Sequence, residues 1–141
     1  MASTEQSIPT ILAPISLGEL IDKITILQIK GQHLQGQALE NTQKELNALE
    51  STLKHLKLNI DCTLIQRLKE VNQELWQIED DIRDQESNKN FNETFIRLAR
   101  SVYQQNDLRA AIKREINISY GSPLVEEKSY KYYWPGKGKY K

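Results

Sequence analysis

The chain has almost nothing from which to build a disulfide framework or a metal centre. It carries one cysteine, Cys62, and two histidines, His33 and His55, in 141 residues. A single thiol excludes an internal disulfide, and with no signal-like start to the chain it fits a reducing cytoplasm. Zinc needs three or four ligands, and these three side chains are scattered among polar neighbours, so no metal and no other cofactor is expected. Cys62 has no histidine beside it in sequence, so a small residue at a helix start is its simpler reading. Net charge is also missing. Lys+Arg and Asp+Glu both number 19, and the pI is about 6.7. Without a basic excess, nucleic acid is not an expected partner. The longest apolar-looking stretch, Ile24 to Ile29, falls far short of the ~20 residues that cross a membrane, so no membrane association is expected. Two glycan-type sequons, at Asn92 and Asn117, carry no meaning in a cytoplasmic protein.

What is present is helical period. Residues 1–15, with Pro9 and Pro14, form an irregular lead-in, and some of Ile8, Ile11, Leu12 and Ile15 are expected to lie against the body. Ser16 and Glu19 fit a capping box that opens a first helix over 16–34, with Leu17, Leu20, Ile21, Ile24 and Leu27 on one face. Ile26 and Ile29 lie on another side, so that helix is expected to be buried on two faces. A second helix, 38–58, places Leu39, Leu46, Leu49, Leu53 and Leu56 on a narrow heptad stripe, with Thr42 at one core position. Asp61 caps a third, 61–86, whose seam is Leu64, Leu68, Val71, Leu75, Ile78 and Ile82. Asn92 caps a fourth, 93–118. Gly121-Ser122-Pro123 ends the helical region, and the tail, 121–141, is rich in tyrosine and lysine.

The expected fold is therefore a single all-α domain of four main helices. The second and third form a long antiparallel coiled-coil-like hairpin on which the first and fourth pack. The narrow leucine seam of the second helix points to a homodimer that buries it; the other arrangement folds that arm back onto the first helix.

Charged residues stand where a plain bundle would be apolar. Asp22 on the first helix, Asn72, Trp76 and Arg83 on the third, and Arg100, Tyr103, Asn106, Arg109 and Lys113 on the fourth define a candidate polar groove. Charges taken from water need partners or a ligand. One reading is a site for a small phosphate or carboxylate ligand, which the planar donor fork of arginine suits. The simpler reading is a network of ion pairs that fixes helix register. Glu79, Asp80, Asp81 and Asp84 offer magnesium-type spacing and faintly echo helical pyrophosphohydrolases, but Arg83 and Arg97 are placed to neutralise them. Leu20 to Ile24 resembles the opening helix of a chorismate-mutase-like bundle, yet residues 31–53 supply only Lys44 where further basic residues are needed. The Lys- and Tyr-rich tail can stack on nucleic acid, but Glu126 and Glu127 precede it, and docking on the chain's own helices or on a protein partner is the expectation.

Several phrases form a recognisable set. They are Leu17-Gly18-Glu19-Leu20-Ile21-Asp22-Lys23-Ile24, Leu75-Trp76-Gln77-Ile78-Glu79-Asp80-Asp81-Ile82-Arg83, Leu98-Ala99-Arg100-Ser101-Val102-Tyr103, Asn106-Asp107-Leu108-Arg109-Ala110 and Glu126-Glu127-Lys128-Ser129-Tyr130. The set resembles a small family of unknown function from cyanobacteria, other aquatic bacteria and some of their viruses. The resemblance implies a compact helical protein and a bacterial or phage setting, with no reaction or ligand attached. Two function classes stand open. The first is a non-enzymatic binding or assembly module using helix seams and the aromatic tail. The second is a small enzyme or ligand-binding protein that holds an anionic metabolite in the groove.

Overall fold

The computed structural model describes residues 7–133, which form four helices and no strand. Three of the four helices, all but α2, begin where a short polar side chain takes an orphan backbone N–H. In α1, Leu17–His33, Ser16 Oγ accepts from Glu19 N–H at 3.1 Å. α2, Gly36–His55, follows after a two-residue turn and begins at a glycine with φ +63°. In α3, Cys62–Ser87, Asp61 accepts from Thr63 N–H, and in α4, Glu93–Ser119, Asn92 accepts from Thr94 and Phe95. Glu19 does not return to cap α1 as the capping box anticipates. Its carboxylate is taken by Lys113 instead, at 2.8 Å.

The other donors at the start of α1 are met from the far end of the chain. Leu17 N–H donates to Ser122 Oγ at 3.2 Å, and Gly18 N–H donates to Asn117 Oδ1 at 2.7 Å. α1 and α4 touch so closely here that a Cβ on Gly18 would stand 2.5 Å from the Lys113 carbonyl oxygen. Glycine is the residue that permits this crossing.

α1 is the hub, packed against α2, α3 and α4. Two apolar faces make that possible. Leu17 and Ile21 join Leu64, Leu68, Ile112 and Ile116 in the core shared with α3 and α4. Leu20, Ile24 and Leu27 join Leu46 of α2, with Leu49 and Leu53 alongside. Full burial of a side chain such as Leu68 or Ile116 removes enough apolar surface to contribute about 1.5–3 kcal/mol.

This arrangement corrects the expected pairing. α2 packs on α1, α3 packs on α4, and no helix contact joins α2 to α3. Leu46, Leu49 and Leu53 of the α2 stripe pack on the second apolar face of α1 within the same chain, the arrangement in which that arm folds back, while Leu56 stays exposed. The lead-in differs as well: Ile8, Ile11, Leu12 and Ile15 are all exposed. Residues 123–133 have no regular structure and run beside α4. Trp134, Lys137, Lys139, Tyr140 and Lys141 lie outside the described residues. Among the described residues, no helix is long and apolar enough to cross a membrane.

Candidate functional site

The polar stripe of α4 faces α1 and α3, and its centre is Asp22. This carboxylate is fully buried in the middle of α1. A carboxylate out of water must be matched on both oxygens. Oδ1 accepts from Asn72 Nδ2 at 2.9 Å and from Arg109 Nε at 3.0 Å. Oδ2 accepts from the Arg109 terminal nitrogen, which completes a two-pronged pair, and Lys113 Nζ lies 3.9 Å away. Asn72 also donates to Thr25 Oγ1 at 2.9 Å, and that hydroxyl donates to the Asp22 backbone carbonyl at 2.8 Å. Three helices are thereby tied to one carboxylate.

Lys113 forms the second node. Its side chain is almost wholly buried and bonds Glu19 at 2.8 Å and Glu126 at 3.1 Å. Burial alone would lower its pKa, but the bonds to Glu19 and Glu126 and the charge of Asp22 outweigh burial and hold it above the ordinary lysine value. Arg109 is raised chiefly by its hydrogen bond with Asp22. The hydrogen bond from Lys113 holds Glu126 below the ordinary carboxylate range.

Beside Asp22 an open groove of about 330 Å³ is lined by Ile26, Asn72, Trp76, Arg83, Asn106 and Arg109, among others. Its arginines are engaged. Arg83 pairs with Glu79 one turn earlier at 2.8 Å, and Arg109 reaches Asn106 Oδ1 at 3.4 Å besides Asp22. Trp76 stacks on His33 with ring centroids 4.5 Å apart, and its buried Nε1 has no hydrogen-bond partner.

The structure thus gathers Asp22, Asn72, Arg109 and Lys113 into one network and sets Trp76, Arg83 and Asn106 along the groove beside it. Arg100 and Tyr103 are elsewhere. Arg100 is exposed, and Tyr103 meets Tyr133 edge-on at 4.9 Å. Arg100 lies nine positions before Arg109, about 13 Å along a helix rising 1.5 Å per residue. Glu19, within a turn of Asp22 on α1, belongs to the network, and so do Thr25, Asn117, Ser122 and Glu126, which the expected groove does not include. Asn117 continues the 106-109-113 spacing by one further turn, which is the signal that marks it. Among the described residues, no group of three or more His, Cys, Asp or Glu is placed to hold a metal ion. No curated protein and no solved structure matches the chain. Residues 11–135 match the model of the family of unknown function DUF6165, and the chain belongs to that family.

Proposed function

We propose that the protein is a non-enzymatic helical binding and assembly module. The observation that carries this reading is that the cations of the groove and of the buried network beside it already have carboxylates of the same chain: Arg83 has Glu79 and Arg109 has Asp22 along the groove, and Lys113 has Glu19 and Glu126 in the network. A site for an anionic metabolite needs a cation to spare. The spare chemistry is apolar and aromatic instead. Ile96, Tyr103 and Leu108 of α4 are exposed, as is Tyr130 of the tail. If a second copy is the partner, α4 rather than α2 has the surface to receive it. Cys62, an exposed free thiol, suits a reducing compartment such as the cytoplasm.

A second reading rests on the groove itself, where Trp76, Asn72 and Asn106 offer a ring and amides to a small ligand. A thermal-shift screen against phosphorylated sugars, nucleotides and dicarboxylates separates the two. The module reading expects no specific shift, together with a protein partner that co-purifies at fixed stoichiometry. A rise of several degrees with one compound class, abolished by Arg83→Ala in a variant of unchanged helicity, would overturn it.

A further inference from the structure

Past α4 the chain turns at Gly121, whose φ is +65°, and is fixed at Ser122 by its bonds to Asn117 and Leu17. Residues 123–133 then run back along α4 as a strap. As the strap advances from Glu126 to Tyr133, its contacts on α4 recede from Lys113 to Tyr103. Glu126 meets Lys113 at 3.1 Å, Glu127 meets Arg114 at 3.1 Å, and the Tyr133 ring stands edge-on to Tyr103.

The strap is lightly held. The Glu127 side chain is 73% exposed, and an ion pair in that setting contributes little. Between Pro123 and Lys131 no backbone hydrogen bond to a helix is made among the described residues. Lifting the strap also strands no buried charge. Lys113 keeps Glu19 at 2.8 Å and Asp22 at 3.9 Å when Glu126 leaves. A segment required for the core would leave an unpaired charge behind; this one does not.

The geometry also says what fits. Lys113 and Arg114 are neighbours on a helix, so their side chains diverge by about 100°. One small anion cannot serve both. Two successive residues of an extended chain likewise point apart, so adjacent carboxylates on such a chain can reach both cations at once. We propose, building on the binding-module reading, that the strap is a displaceable occupant, and that Lys113, Arg114 and Tyr103 form a docking register for an extended acidic segment of another protein. That segment carries two adjacent carboxylates and an aromatic ring about six residues further on. The strap holds the register in cis at high effective concentration, so a partner must outcompete it.

The probe is a fluorescein-labelled peptide with the sequence of residues 123–133, titrated by anisotropy into the full chain. The Glu126→Gln/Glu127→Gln variant, whose own strap is weakened, is expected to bind it at least tenfold tighter than the unmodified chain. Adding Arg114→Glu is expected to remove that binding, and millimolar inorganic phosphate is expected not to compete. The single variant Glu127→Gln, altered only at the exposed pair, should move the same way and guards against a folding defect in the double variant. Equal affinities for both chains, binding that survives Arg114→Glu, or competition by phosphate would each overturn the proposal. A concentration-dependent dimer in sedimentation, lost with Arg114→Glu, would assign the register to the strap of a second copy and overturn the choice of a different protein. None of these failures touches the thermal-shift result, so the module reading is judged separately.

Discussion

Asp22 and Arg109, 87 positions apart, are joined by two hydrogen bonds in a pocket where the carboxylate has no access to water. One side chain ties α1 to α4, and through Asn72 the same carboxylate ties in α3. The pair is a fastening for the bundle, and its removal is expected to be costly in an uneven way.

Arg109→Ala takes the two-pronged partner from the buried carboxylate, leaving it Asn72 and the more distant Lys113, and is expected to lower unfolding free energy by about 3 kcal/mol. Asp22→Asn keeps the shape, removes the buried charge and leaves Arg109 a route to solvent, so its cost is expected to be smaller. Urea unfolding followed by circular dichroism measures both, and the double variant is expected to lose less than the sum of the two.

Gly18→Ala is expected to destabilise by about 1–3 kcal/mol, although alanine is the better helix former. The added methyl meets the Lys113 backbone carbonyl at 2.5 Å, and backbone cannot step aside as a side-chain tip can. Thermal unfolding of this variant beside Gly31→Ala, where the nearest neighbour is 3.8 Å away, isolates the effect. The second variant is expected to be neutral or stabilising.

Trp76→Phe is expected to be close to neutral in stability. The indole N–H is buried with no acceptor, and phenylalanine keeps a ring against His33 while removing the unpaired donor. A loss of more than about 2 kcal/mol in urea unfolding would mean that the indole volume, not its donor, decides the site.

The strap is expected to respond to pH at both extremes. Glu126 is held below the ordinary value of 4.5, so its contribution is complete above that value and is lost as pH falls through the lower native one. Lys113 is held above the ordinary 10.5, so its contribution is complete below that value and is lost as pH rises through the higher native one. Amide chemical shifts of Val125 to Tyr133 are expected to stay constant between these limits and to move toward unstructured values outside them.

Much of this molecule follows from local chemistry. Ser16, Asp61 and Asn92 begin helices because their side chains reach N–H groups two or three residues ahead, a relation written within a few positions of sequence. The polar stripe of α4 is equally plain, because Asn106, Arg109 and Lys113 share a face by helical period alone. What that stripe meets is not local. Glu19 reads as half of a capping box, yet the charge of a lysine 94 positions away draws it off.

The sequence by itself determined that this chain is helical, where three of the four helices find their caps, and that charge would lie against a neighbour, since period and capping act over single turns. The tertiary structure alone decided that α2 folds onto α1 rather than α3, and that each buried cation meets a carboxylate rather than an open site. The physical reason is that a leucine stripe or a buried charge specifies only that it must be covered. Which surface covers it depends on the two apolar faces of α1 and on the close approach at Gly18, which become effective only when distant parts of the chain come together.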